Sequence, residues 1–268
     1  MSSAEKITSI QQVVHNILLA IPGAPMEETV DTFKAGDPAQ EVTGIVTTFL
    51  ASCQVIQRAI DLGANLIITH EPTYYNHLDE VGWLKGDPVY EAKRRLIEEN
   101  KIVIWRFHDH WHMHRPDGIL TGLVKELGWE DYADAENLAI YNVPPVSLRD
   151  LAVSLKERLG MRTVRAVGNL DMICHRAGLV PGALAGEAQI AFLGRENIDV
   201  LICGELHEWE VPEYVRDAVA QGKKKAVIVL GHANSEEAGM KWLVEWLRSR
   251  LPGVPITHVP VGDPFYSL

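Results

Sequence analysis

The sequence predicts an α/β fold whose strands run mostly parallel. Three observations carry the prediction: helical and strand-like apolar patterns alternate along the chain, a segment of the first half is echoed in the second, and the conspicuous polar residues stand directly after predicted strands. With 268 residues, 47% of them hydrophobic, the chain can fill the core of one large domain or two modest ones.

Apolar periodicity places an amphipathic helix near Ile7 to Leu19 and a strand over Gly44 to Phe49. A helix from about Gln54 to Leu62 leads into a strand at Asn65 to Thr69, and a second helix, about Tyr90 to Asn100, into a strand at Ile102 to Phe107. Helix and strand in such succession imply parallel strands joined by crossovers. The middle section carries a strand near Ile140-Tyr141, a helix from Leu148 to Leu159 and two short strands around Arg165 and Met172. Further strands fall at Val200 to Cys203 and Val227 to Gly231, followed by a helix bearing Trp242 and Leu243 with Ser235 as its expected cap.

The echo pairs "AIDLGANLIITHEPTYYNH", ending at His77, with "FLGRENIDVLICGELHEWE", ending at Glu210. In the same order, Lys101 to His108 matches Lys225 to His232, and four residues beyond each histidine stands another donor, His112 or Glu236. Two βα units can look alike without a duplication, but the matched donors favour internal repetition.

In an open parallel sheet, ligands bind where the carboxyl ends of the strands meet. Four predicted strand ends carry donors: His70 and Glu71, then His108 to His114, then Glu205 and His207, then His232 and Glu236. Imidazole and carboxylate are the ligands of divalent metals. Four of the eleven histidines fall within His108-Asp109-His110-Trp111-His112-Met113-His114, which by itself is equally a histidine-rich surface loop. If that segment is extended, residues two apart lie about 6 to 7 Å apart on one side, so a pair such as His110 and His112 could meet one ion but all four could not. Glu236, in the first turn of its helix, is either a capping-region acid or a carboxylate able to bridge two ions. His15, His175 and His258 read as ordinary structural or surface residues, and His77 is undecided. Tyr74, Tyr75, Trp83, Trp105 and Trp111 are candidates either for stacking on a planar substrate or for core packing. Arg106 and Arg115 are candidates for phosphate contacts or for charge partners of the acidic loops.

The 36 acidic against 25 basic residues give a net charge of -11, which disfavours nucleic acid as a partner. The densest basic run, Lys223-Lys224-Lys225, reads as the solvated end of a helix. No apolar stretch is long enough for a membrane span, and Met1 to Lys6 lacks a signal-peptide layout, so the expectation is a cytoplasmic protein without membrane partners. Cys53, Cys174 and Cys203, widely spaced and without C-x-x-C, are expected to be small buried residues rather than disulfides or zinc ligands. No G-x-G-x-x-G or phosphate-cradling loop is present.

The segments "EVTGIVTTF", "GANLIITHEP", "KIVIWRFHDHWH", "ICGELHEWE" and "VLGHANSEE" together resemble the Nif-three-like dinuclear metal-centre proteins, GTP cyclohydrolase type-two homologues that form hexamers. The resemblance covers most of the chain. It implies two similar α/β lobes, about 1–130 and 131–268, with the metal site in the cleft between them and the C-terminal segment returning to the first lobe. The family pattern has paired histidines where this chain has His70 and Glu71, and an aspartate where it has His112, while His232 and Glu236 are kept. Two imidazoles and one carboxylate are thus redistributed among three positions.

The resemblance therefore implies two divalent ions per chain (Zn, Fe, Mn, Co or Ni) on His70, Glu71, His112, His232 and Glu236. Apart from the resemblance, Glu205 is a candidate base, and His207, His108 and His110 are candidates for transferring protons or orienting ligands. The expected function is a metal-dependent hydrolase acting on a small, nucleotide-like substrate in a homo-hexamer. The alternatives are a non-catalytic metal-handling or regulatory ring, or a scaffold that has lost its metals.

Overall fold

A computed structural model describes residues 9–195, 197–266 and 268. The expected start of the first helix at Ile7 and the reading of Met1 to Lys6 lie outside the described residues. Helix α1 (Ile10–Leu19) opens on a capping box in which Ser9 and Gln12 exchange side-chain and main-chain hydrogen bonds, and it buries Ile10, Val13, Val14 and Ile17. Then follow β1 (Phe33–Ala35), β2 (Ile45–Thr48), α2 (Cys53–Asp61), β3 (Leu66–Thr69), α3 (Pro88–Glu99), β4 (Val103–Arg106), α4 (Asp109–Met113) and α5 (Gly118–Leu127). The chain continues through β5 (Ile140–Ser147), α6 (Leu148–Arg158), β6 (Arg165–Val167), β7 (Ile173–Val180), α7 (Gly186–Leu193), β8 (Val200–Cys203), α8 (Val211–Ala220), β9 (Ala226–Val229), α9 (His232–Arg248) and β10 (Ile256–His258).

The fold is α/β with two mixed sheets. One has the order β1-β4-β3-β2-β10, parallel except for the edge strand β1. The other has the order β5-β7-β8-β9-β6, with β7, β8 and β9 parallel and an antiparallel strand at each edge. Read from one edge, β1-β4-β3-β2 and β6-β9-β8-β7 have the same order and the same parallel core. Strands β2, β3, β4, β8 and β9 are buried at every position, as parallel strands covered on both faces require; β8 and β9 are apolar throughout, whereas β2, β3 and β4 end in the buried polar residues Thr47 and Thr48, Thr69, and Arg106.

The chain divides into two compact units. The first takes in the chain through Thr121 and Gly239–Val261; the second takes in Gly122–Ala238 and Gly262–Leu268. Helix α9 belongs to the second unit up to Ala238 and to the first from Gly239. In the first unit, α1, Trp105, Phe107 and Trp111 pack with Met240, Leu243 and Leu247 on one face of the sheet, while α2 and α3 cover the other with Val55, Ile56, Ala59 and Ile97. In the second unit, Leu193, Val211 and Val215 of α7 and α8 pack on Leu201, Cys203 and Val227.

Several expectations change. Cys53 is exposed at the first position of α2, whereas Cys174 and Cys203 are buried, and all three are free. Helix α8 ends at Ala220, before the lysine run, and Lys225 is buried because its Nζ donates to the main-chain oxygens of Arg195 and Ile198, both at 2.6 Å. Helix α9 begins at His232, so Ser235 is inside its first turn rather than its cap. Its hydroxyl donates to the His232 carbonyl at 2.7 Å and accepts the Gly182 N–H at 3.0 Å.

Candidate metal centre

Strands β3 and β4 run parallel with Thr69 opposite Arg106, so they end level and deliver His70 beside Phe107 and His108. The histidine-rich segment then turns into the short helix α4 instead of staying extended. The His112 N–H donates to the His108 carbonyl at 3.1 Å, one helical turn back, and this brings His108 and His112 to the same side. His70 stacks on His108 with ring centroids 4.5 Å apart and meets His112 edge-on at 5.0 Å, and His108 and His112 are 4.9 Å apart. One ligand atom from each of the three lies within 4.8 Å of the others. Donors on a single ion, at bonds of about 2.1 Å, lie up to about 4.2 Å apart, so small side-chain adjustments would bring all three to one ion. Glu71 Oε1 is 3.6 Å from His108 Nε2.

Each imidazole is oriented from behind. His70 Nδ1 donates to the Phe107 carbonyl at 3.2 Å, His108 Nδ1 to Asp109 at 2.9 Å and His112 Nδ1 to Asp117 at 2.8 Å. With the ring protons committed to Nδ1, the lone pairs sit on Nε2, the arrangement of metal-bound histidines. Burial, then the charges of His112 and His108, hold His70 well below the usual imidazole range, which keeps it in the neutral, ligating form. Burial pushes the Asp109 carboxyl up, but hydrogen bonds from His108, the Val30 amide and Thr29 outweigh it and hold the group at about 2. Three imidazoles with an adjacent carboxylate therefore fit a divalent ion of the nitrogen-preferring class.

The helix also separates the members of the cluster. His110 faces away from the trio: its Nδ1 donates to Asp31 at 2.6 Å and its Nε2 accepts the Met26 amide at 3.1 Å, so both ring nitrogens are engaged. Asp31 also accepts the amides of His108, Asp109 and His110, capping α4 from a distant part of the chain. His114 accepts from Trp246 Nε1 at 3.1 Å within an aromatic nest of Trp111, Trp242 and Trp246. His77 is exposed, its ring 6.3 Å from that of His108. Arg106 is fully buried and pairs with Glu71 at 3.4 Å, acting as a charge partner. Arg115 donates to the carbonyls of His112 and His114. Trp105, Trp111 and Tyr74 are core residues, whereas Tyr75 and Trp83 are exposed.

The second unit carries its own donor group. His232 opens α9, with Nε2 3.2 Å from Glu236 and Nδ1 3.4 Å from the exposed Glu205. Glu236 is almost wholly buried. Gly182, Gly204 and Gly231 stand one or two residues past the ends of β7, β8 and β9, and the Gly231 N–H donates to the Gly204 carbonyl at 2.8 Å. A Cβ on Gly204 would lie 2.5 Å from the Gly182 carbonyl and 2.6 Å from Ser235 Oγ, and one on Gly182 would overlap Glu236 Oε1, so the carboxylate occupies space that only glycine leaves. His207 is exposed, stacked on Trp209 at 4.8 Å and 3.3 Å from Glu210.

Sequence reasoning did not single out Asp31, Asp117, Gly182 or Gly204. For Asp117 a signal existed, an aspartate and a glycine directly before an apolar helical period; for Asp31, 77 to 79 residues from the amides it caps, there was none.

The sequence profile described as Duf34/NIF3 (NGG1p interacting factor 3) matches residues 29–263. The chain is 22% identical over 248 residues to the GTP cyclohydrolase 1 type 2 homolog of Clostridium perfringens, covering 88% of this chain and 90% of that one. To the protein of the same name from Escherichia coli K12 it is 24% identical over 231 residues, covering 84% and 87%. The crystal structure of Staphylococcus aureus hypothetical protein SA1388 shares the fold, with a TM-score of 0.77 at 17% identity over 98% of this chain and 100% of that one.

Proposed function

The chain belongs to the Duf34/NIF3 family, and from that membership and its donor chemistry we propose that it is a metal-dependent hydrolase using two divalent ions per chain. The observation that carries the proposal is the trio His70, His108 and His112, each ring held at Nδ1 by an acceptor and one ligand atom from each within 4.8 Å of the others. His70, Glu71, His108 and His112 hold metal in the first unit, and His232 and Glu236 supply donors from the second. His108 thus joins the expected ligands rather than supporting them. Imidazole and carboxylate donors stand together in each unit, which supports the reading of two ions per chain. The shared order of the two sheets supports the duplication.

Bound divalent ions supply Lewis acidity toward the substrate and its attacking water. Of the chain's own groups, Glu205 is the candidate proton acceptor, because it is exposed and its carboxylate lies beside His232. His207, exposed on Trp209, is the second candidate for carrying a proton or contacting substrate. His110 has no free ring nitrogen for such a role. A small, nucleotide-like substrate follows the relatives' name, GTP cyclohydrolase 1 type 2 homolog. A cytoplasmic homo-hexamer completes the proposal; among the described residues no helix is long and apolar enough to cross a membrane.

The test combines elemental analysis with turnover of nucleotides, phosphodiesters and cyclic amides by the wild type, His112→Ala and Glu236→Ala, with light scattering for the oligomer. About two ions per chain are expected; less than about one in metal-supplemented buffer at neutral pH sinks the proposal. Turnover that persists in metal-free Glu236→Ala assigns the activity elsewhere. Full metal content without turnover of any probe favours the second reading, a metal-handling ring, which the lack of a nucleotide fingerprint also suits.

A further inference from the structure

The three imidazoles of the first unit are backed by chemically different groups. His70 rests on a neutral main-chain carbonyl, His108 on Asp109 and His112 on Asp117. Asp109 is spent largely on holding the chain, since its second oxygen takes the Thr29 hydroxyl and the Val30 amide. Asp117 is different. One oxygen receives His112 Nδ1 at 2.8 Å, and the other accepts the Leu120 N–H at 2.9 Å in the first turn of α5, which fixes the direction of the carboxylate. Both side chains are about two-thirds covered, 34% and 30% exposed, so the contact is partly screened from water.

We infer that Asp117 is a positioning residue that sets the affinity and metal preference of this donor site by acting through His112. A carboxylate behind an imidazole fixes the tautomer, restrains the ring and strengthens the opposite nitrogen as a donor. It adds negative charge near the ion without occupying a coordination position, so the first unit keeps its nitrogen-rich donor set. The ion favoured is one that gains from strong nitrogen donation, Zn²⁺ or Co²⁺, over the oxygen-preferring Mn²⁺ or Mg²⁺. This inference rests on the metal-binding reading above.

The experiment titrates metal-free full-length protein with Co²⁺ and, separately, Mn²⁺, following visible absorption and calorimetry, for the wild type, Asp117→Asn and Asp117→Ser. Asparagine removes the charge but leaves an acceptor for Leu120. Serine keeps a helix cap but is too short for His112. Both variants are expected to unfold near the wild-type temperature when metal-free, to bind Co²⁺ about 10- to 100-fold more weakly with an altered absorption band, and to change little toward Mn²⁺. Wild type that fails to bind Co²⁺ overturns the metal-binding reading and this inference with it. Wild type that binds while both variants match it within twofold overturns this inference alone, as does equal weakening toward Co²⁺ and Mn²⁺.

Discussion

Arg106 donates from Nε to the main-chain oxygen of His70 at 3.0 Å. The same guanidinium donates to the His77 carbonyl at 2.6 Å and to Glu71 at 3.4 Å, so one buried cation fastens three points of the loop after β3. Arg106→Met keeps the apolar stem but leaves two carbonyls and a carboxylate without their donor. A loss of about 3 kcal/mol in urea unfolding of the metal-free chain is expected. Arg106→Lys should recover only part of it, since an ammonium cannot serve three acceptors in one plane. Wild-type stability in Arg106→Met would show that the loop is fixed by other contacts.

Gly182 makes a second test because its conformation and its surroundings both demand glycine. Its φ is +72°, and a Cβ there would overlap Glu236 Oε1. Gly63 has a similar φ of +67°, but a Cβ at that position would meet nothing within 4 Å. Gly63→Ala should therefore cost only the backbone term, about 1 kcal/mol, while Gly182→Ala should cost more and also lower metal content by displacing Glu236. Equal costs, with metal content unchanged, would remove Gly182 from the account of the site.

The buried parallel strands were legible because burial on both faces forces largely apolar runs, and the register of such strands put His70, His108, Glu205 and His232 at strand ends. Helix α4 was not legible. Five residues rich in histidine carry no apolar period, so the extended reading paired His110 with His112, whereas the helix pairs His108 with His112. The three-residue strands β1 and β10 are too short to show a pattern, and β10 joins its sheet only through pairing with β2, some 210 residues earlier in the chain. The Asp31 cap and the glycine pocket around Glu236 arise from tertiary contacts between segments far apart in sequence, which no local spacing encodes.

The same helix yields a contrast between neighbours. His110 is 1% exposed with Asp31 and the Met26 amide on its two nitrogens, while His112 is about a third exposed beside His70 and His108. His110→Ala should lose about 2 to 4 kcal/mol of stability, through a cavity and unsatisfied buried partners, and keep its metal at low denaturant. His112→Ala should lose metal and little stability when metal-free. Unfolding curves of the metal-free proteins, set beside elemental analysis, distinguish the two; a reversed pattern would mean that α4 presents its other face to the ion.

Lys93 links the fold to pH. It is 2% exposed, its Nζ donates to the Thr73 carbonyl at 2.5 Å, and it lies 5.3 Å from the ring of Tyr75. Burial pushes its ammonium down from 10.5 to about 8, against smaller opposing effects of Cys53 and Asp79. Between those values the unfolded chain binds more protons than the folded one, so stability rises with pH through this window. The penalty is fully present below pH 8 and gone above 10.5. Tyr74 acts oppositely at higher pH, because burial raises its phenol from 10.0 to about 12 and folding then loses stability above pH 10. The informative range is therefore about pH 7 to 9.5, over which the wild type should gain about 2 kcal/mol relative to Lys93→Met. Urea midpoints of the two proteins across that range measure the gain, and parallel curves would mean that Lys93 stays protonated in the folded chain.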